Sequence, residues 1–438
     1  MLDQADCGSC WAFSVTGALT DRYCIWSGGR LFSHTSVDDS ASLSPQPLLS
    51  CGEPDGACDG GSEGHAWEFM KQNGTLTCRR KQTQYGVTCD SGCAPYQSAS
   101  CGEGGDPFHN GCAECQRDVC NDGGGTPVDW TPELWANTTD DSDAPHMVFY
   151  ADEIGSVGSG QSPDAPKPKA GDPKPKPKPD VEAIQTEVMT NGPVSTCFRF
   201  YESFHTFFND NPAGIYNNTG MCKNKKTGKE EPCKEVGGHC VKIVGWGHDD
   251  PSGIDYWLIA NSWTTNWGTH GYFRFKRGTD LCKMDGSCWA GCPPADLSAG
   301  VANAPGEKCM LTAPNTSVAV FGEAPEIVGG EWVEHDVTDE TLAGTMFVAD
   351  TIDAIVADAH HHVKKALSRV DSERKAELLG VGAHEAWHQR VAAVRTQVTR
   401  GINVRMDLAI DESTTLRVHC LHDALKSEGT KVTKAHVV

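Results

Sequence analysis

The chain is 438 residues long, with 38% hydrophobic and 8% aromatic residues, enough for more than one domain with a real core. Asp and Glu total 59 against 37 for Lys and Arg, a formal charge of −22 that repels a phosphate backbone and argues against nucleic acid as a partner. No apolar run approaches the roughly 20 residues of a membrane span, and twenty-one cysteines, mostly before residue 293, fit an oxidising compartment better than the cytosol.

The first predicted element follows the stretch QADCGSCWAF (4–13). Cys10 precedes an apolar, small-residue run, Ala12, Phe13, Val15, Gly17, Ala18 and Leu19, which predicts a tightly packed helix with Cys10 near its N-terminus. A helix start and a nearby imidazolium favour the thiolate, so Cys10 is placed to be a nucleophile. On spacing alone, the alternative is half of a disulfide. Residues 78–120 are rich in cysteine, and SPDAPKPKAGDPKPKPKPD (162–180) alternates Pro with Lys, which favours solvated polyproline. A surface insertion over about 158–180 is expected, with a ligand for a partner as the other use of such a run. CKNKKTGKEEPC reads as a loop closed by Cys222 and Cys233. GGHCVKIVGWG (237–247) sets His239 at the head of an apolar strand, and YWLIANSWTTNWG (256–268) sets Asn261 beyond another, followed by Trp263 and Trp267. A base, a group that holds its tautomer and an apolar shield are what a thiolate and imidazolium need.

With DRYCI (21–25), LSPQPLLSC (43–51), CDGG (58–61) and NGPV (191–194), these stretches make residues 1–294 resemble the papain family of cysteine peptidases, and within it the cathepsin B branch. The resemblance implies that Cys10 is the nucleophile, His239 the acid and base, Asn261 the orienter of His239, and Gln4 an oxyanion donor beside the Cys10 backbone N–H. It implies that Gly60 and Gly61 admit substrate as an extended strand, with Trp263 and Ser287 also on the substrate side. Ser287 stands where the branch carries an acidic specificity residue, so apolar substrate side chains are expected there, facing Cys197 and Cys240, bridged or not.

The implied disulfides are Cys7–Cys58, Cys51–Cys115, Cys93–Cys120 and Cys101–Cys112. The last closes CGEGGDPFHNGC, a loop that in this branch carries two adjacent histidines where this chain has Glu103 and Gly104, with His109 further on. A glutamate repels a substrate's C-terminal carboxylate, so endopeptidase rather than carboxydipeptidase action is expected. Cys24 has its family partner on a segment N-terminal to residue 1, so the N-terminus is expected to be incomplete. About 230 residues separate Cys10 from His239, against about 130–150 usual in papain-like enzymes; the insertions account for the surplus.

A compositional boundary falls near residue 297, followed by a small, polar, Pro-containing linker (297–324) and a tail with one cysteine, Cys420. HEAWH (384–388) matches a zinc motif, but it leads into QRVAAVRTQV, which reads as a strand; positions four apart in a strand lie about 13 Å from each other. His360, His361 and His362 lack ligand spacing, so neither a metal nor a cofactor is expected. A helix is predicted from about Thr338, with Leu342, Met346, Ala349, Ile352, Val356 and Ala359 on one face. QVTRG (397–401) between two strands resembles the wedge loop of the cystatin family, with Thr399 where valine is usual. That resemblance implies an inhibitor-like wedge of Gly329, Gly330, Gln397, Val398 and Gly401.

The expected fold class is therefore α+β. A two-lobed papain-like peptidase, helical lobe plus β-barrel lobe, spans 1–296, and a cystatin-like helix on an antiparallel sheet spans 325–438. The expected function is a cysteine-type endopeptidase acting on peptides and proteins, braked by its own cystatin-like domain or engaging another papain-like peptidase. The competing expectation is a silent peptidase fold or an inhibitor acting in trans. Four sequons, at Asn73, Asn137, Asn217 and Asn315, agree with a secretory route ending in a lysosome, a vacuole or the extracellular space.

Overall fold

A computed structural model describes residues 2–32, 41–52, 57–83, 86–97, 128–129, 147–158, 179–217, 220–223, 229–298, 306, 308–312, 332–335, 391–398, 401–409, 415–423 and 430–437. Helix α1 (Cys10–Trp26) begins at Cys10 and is buried on nearly every face. Its small side chains let neighbouring elements approach, and the hydroxyls of Thr16 and Thr20 donate to the carbonyls of Ala12 and Thr16 at 2.9 and 2.7 Å, so neither is stranded. Around α1 stand β1 (Ala41–Leu43), α2 (Gln46–Cys51) and α3 (Glu63–Gln72). Ser62 caps α3 by accepting the His65 N–H at 3.2 Å. Strands β2 (Thr77–Thr83) and β3 (Gly86–Ser91) complete an antiparallel sheet with β1, and β4 (Val128–Asp129) and β5 (Met147–Val148) form a short parallel pair.

The chain continues through β6 (Glu153–Val157), α4 (Val181–Asn191), β7 (Val194–Tyr201), α5 (Glu202–Asp210), β8 (Ile215–Tyr216), the ribbon of β9 (Met221–Lys223) and β10 (Glu230–Pro232), then β11 (Glu235–Asp249), β12 (Ile254–Ala260), β13 (Tyr272–Lys276) and β14 (Cys288–Cys292). Seven of these strands make one sheet in the order β6-β14-β7-β11-β12-β13-β8, and α1 lies across β7 and β11. A cluster of aromatic rings, among them Phe198, Phe200, Phe204, Phe208, Trp263, Trp267 and Phe273, fills the core on the His239 side. His239 is not at the head of its strand as expected. A β-bulge between Glu235 and Gly237 carries the ladder with β7 through Gly237 and Gly238, so His239 stands inside β11.

Part of the stretch expected to be linker is fastened to this first unit. Cys292–Cys309 bridges the end of β14 to it, Asn191 donates to the Met310 carbonyl at 2.7 Å, and the Thr312 N–H and hydroxyl both donate to Glu187 at 2.8 Å. The other disulfides between described residues are Cys7–Cys58, Cys197–Cys240, Cys222–Cys233 and Cys78–Cys89, the last unforeseen in the sequence. Cys51 and Cys93 are also disulfide-bonded; their expected partners Cys115 and Cys120, and the pair Cys101 and Cys112, lie outside the described residues. No helix among the described residues is long and apolar enough to cross a membrane.

The tail forms a five-stranded antiparallel meander of β15 (Trp332–His335), β16 (Val391–Val398), β17 (Gly401–Ala409), β18 (Thr415–Asp423) and β19 (Thr430–Val437). Val404, Met406, Leu408, Leu416 and Val418 are buried on one face, and on the other Arg417 forks onto Asp407 at 2.8 and 2.9 Å. β15 and β16 pack against β11. Gln397 and Val398 end β16 and Gly401 begins β17, and the two strands pair antiparallel with Val398 opposite Ile402. Gly329, Gly330, the predicted helix from Thr338, the three consecutive histidines, HEAWH, the Pro and Lys insertion, and Glu103, Gly104 and His109 lie outside the described residues.

Candidate active site

Cys10 is the first residue of α1, so its sulfur meets the unpaired N–H groups of a helix start. His239 projects from β11, and its Nε2 is 2.8 Å from Asn261 Oδ1. Because a carboxamide oxygen only accepts, this contact makes Nε2 the protonated nitrogen of a neutral ring and leaves Nδ1 as the base. Nδ1 is buried with no hydrogen bond among the described residues. Asn261 follows directly on β12, and the Ser262 N–H donates to the same Oδ1 at 2.9 Å, which fixes the amide. Trp263 stacks on the His239 ring at 4.8 Å between centroids and 26° between planes, while Phe198 and Phe200 meet that ring edge-on. The ring of Trp263 thus covers the histidine, the apolar shield that the sequence had offered at this position.

Gln4 is fully buried and held from both ends. Its Oε1 accepts from the Ser262 hydroxyl at 2.5 Å, and one N–H of its amide goes to the Cys7 carbonyl at 2.9 Å. The second N–H of that amide is the group available to an oxyanion. Ser262 escaped the sequence reading, although it lies in the quoted ANSW stretch; it ties Gln4 to Asn261. Gly60 has φ +107°, and a Cβ on Gly61 would run into the Trp11 indole, so local geometry alone asks for glycine at both positions. Ser287 donates to the Lys283 carbonyl at 3.0 Å. Nearby, Asp285 accepts from the Trp257 indole N–H at 2.6 Å and from the N–H groups of Gly278 and Asp280, which knits the loop before Ser287.

Burial opposes charge at both Cys10 and His239. It pushes the Cys10 thiol up to about 12, against the pull of the backbone N–H groups of Cys240, Trp11 and Cys10, and it pushes His239 down to about 4 against its bond to Asn261. Burial thus opposes charge on each of the two groups taken singly. Both groups have no solvent exposure, and desolvation outweighs a helix-end effect of about 0.3–1 kcal/mol. A proton passed from thiol to imidazole leaves the net charge of the pair unchanged, so the ion pair is reached within the site.

The His239 shift has a consequence for stability. The folded value, about 4, lies below the ordinary 6.5, so the unfolded chain binds more protons between them. The stabilisation is complete above pH 6.5 and is lost as pH falls toward 4. The urea midpoint is expected to drop across that interval, and less so in His239→Gln. Equal drops in both proteins would remove His239 from the account.

Residues 1–292 match the papain family cysteine protease profile. The chain belongs to the papain family of cysteine proteases. It is 34% identical over 291 residues to a protein named cathepsin B-like cysteine proteinase 5 of Caenorhabditis elegans, covering 66% of this chain and 69% of that one. Cathepsin B-like cysteine proteinase 6 of the same organism is 35% identical, over 66% of this chain and 61% of its own length. A cathepsin B-like cysteine proteinase of Schistosoma japonicum is 32% identical, over 66% and 67%. The first unit accordingly has the papain-like fold, and the protein is a cathepsin B-like papain-family protease, a hydrolase that acts on peptides and proteins.

Proposed function

We propose that the protein is a thiol endopeptidase in which Cys10, His239, Asn261 and Gln4 perform the reaction. Cys10 passes its proton to His239 Nδ1 and attacks the scissile carbonyl carbon. The electron pair moves to the carbonyl oxygen, which the Cys10 backbone N–H and Gln4 Nε2 receive. His239 then protonates the leaving amine, the thioester forms, and water activated by the same ring releases the acid. The observation that carries this reading is the 2.8 Å contact from Nε2 to Asn261, which leaves Nδ1 buried and unpartnered among the described residues beside the strand whose next N–H reaches the Cys10 sulfur.

An irreversible epoxide inhibitor of papain-like enzymes is expected to add once, on Cys10, as located by mass spectrometry. Label on another residue, or none, would overturn the assignment. Cleavage of an internally quenched peptide blocked at both ends, in preference to release of C-terminal dipeptides, is the expected substrate behaviour, with apolar residues preferred opposite Ser287.

Regulation by the tail belongs to the same reading, and the packing of β15 and β16 on β11 supports it. Glutamate introduced as Val398→Glu or Gly401→Glu in the full chain is expected to speed epoxide labelling of Cys10 several-fold. Rates equal to wild type in both would reduce the tail to an appended domain. The five disulfides between described residues support passage through an oxidising compartment, lysosomal, vacuolar or extracellular.

A further inference from the structure

We propose that the Cys197–Cys240 disulfide is a positioning element for the nucleophile, an inference that rests on the roles given above to Cys10 and His239. Among the described residues, strand β11 is paired on both sides only at Lys242 and Ile243, where the ladders with β7 and β12 overlap; at His239, Cys240 and Val241 it pairs with β7 alone. The site occupies that open edge. Cys240 stands directly opposite Cys197 on the ladder, with Cα atoms 4.0 Å apart. This is the close spacing of a non-hydrogen-bonded antiparallel pair, about 4.5 Å, in which the backbone N–H and C=O point away from the partner strand. The Cys240 N–H therefore points out of the ladder, and it is this N–H that reaches the Cys10 sulfur.

Among the described residues no second strand pairs with β11 at this step, and the non-hydrogen-bonded register leaves the Cys240 backbone unbonded to β7. The covalent bridge holds Cys240 there, one residue from the His239 ring. Both half-cystines are buried, at 2% and 1% exposure, and a hydrogen bond to a thiolate is a charge-assisted one, sensitive to small displacements of its donor.

The consequence is an opposition between two sulfur states. Cys10 must be reduced to attack, while Cys197 and Cys240 must stay oxidised to aim the N–H at it. A dithiol reductant that opens the bridge is itself oxidised to a cyclic disulfide, and its two hydrogens pass to Cys197 and Cys240 as thiols. A groove of about 580 Å³ between α1 and β11, bordered by Phe13, Gly17, Cys240 and Lys242, leads to this point.

The test is the pH profile of alkylation of Cys10 by iodoacetamide in the full chain, with the label located by mass spectrometry. Wild type is compared with Cys197→Ala/Cys240→Ala and with Cys197→Val/Cys240→Ala, which refills the volume. The midpoint is expected to rise by about one pH unit in both variants, so that the rate on the acid side falls about tenfold, with kcat lowered. Cys222→Ala/Cys233→Ala, which removes a bridge from the β9–β10 ribbon, keeps the wild-type profile. Graded dithiol treatment of wild type, with the freed thiols counted, gives the same comparison without substitution. Profiles that superpose on wild type after either route overturn the proposal and leave Cys10 as the nucleophile. Failure of Cys10 to alkylate in wild type overturns the underlying reading and the proposal together.

Discussion

Replacing Cys10 by Ala is expected to remove thiol-dependent peptide hydrolysis, lowering kcat/KM by about 10⁴-fold or more. The fold has little reason to suffer. Cys10 carries a free thiol, and Ala is the best helix former at the start of α1. His239→Ala should cost about as much, and the double variant no more than either, because the two groups act as a unit. Asn261→Ala should cost less. It removes the hydrogen bond that selects the tautomer, yet Trp263, Phe198 and Phe200 still hold the ring in its plane. Hydrolysis of an internally quenched peptide under reducing conditions reads all four proteins. Turnover in Cys10→Ala close to wild type would move the chemistry to another residue, and equal losses in Asn261→Ala and His239→Ala would mean that packing contributes nothing to ring orientation.

The parts of this site that could be read from the sequence are those encoded locally. The start of α1 at Cys10, the position of Asn261 one residue beyond β12 and the strands on either side of the QVTRG stretch each follow from a run of side chains with one period and a break. The position of His239 did not follow, because Gly237 and Gly238 look like a turn while the ladder with β7 runs through them. The partnership of Ser262 with Gln4 joins residues 258 apart, and no periodicity records it. Cysteine pairing was legible where the family supplied it and in the short loop closed by Cys222 and Cys233. Cys78–Cys89 and Cys292–Cys309 depend on how strands and the following segment lie in space, which a count of cysteines leaves open. The effect of burial on the charge of Cys10 was hidden for a similar reason. A helix start is visible in the sequence, but the complete burial that opposes it is a property of the assembled fold.

Loss of Arg22 is expected to be among the most destabilising single changes in the chain, about 3–5 kcal/mol for Arg22→Met. Arg22 lies in α1 with no exposed side chain, its Nη2 2.9 Å from Glu187 Oε1, and Glu187 is equally buried. The guanidinium also donates to the carbonyls of Pro193 at 2.8 Å, Gly192 at 3.1 Å and Gly291 at 3.3 Å, so one planar fork serves α1, the turn after α4, and β14. Burial lowers its pKa and Glu187 opposes that, but an arginine remains charged at any working pH. Glu187 in turn receives Asn191 at 3.0 Å and the N–H and hydroxyl of Thr312, which pin the segment following Cys309. Methionine at position 22 would fill the space and leave a buried carboxylate without its cation. Arg22→Lys should recover little, since a point charge cannot reach four acceptors in one plane. Arg22→Met/Glu187→Leu should recover a good part, because it removes both charges, but the three carbonyls and Thr312 would still lack partners. Urea denaturation of the full-length variants separates these outcomes. A cost below about 1 kcal/mol for Arg22→Met, the range of an exposed pair, would mean that water reaches Glu187 and that the ion pair is not what joins these elements.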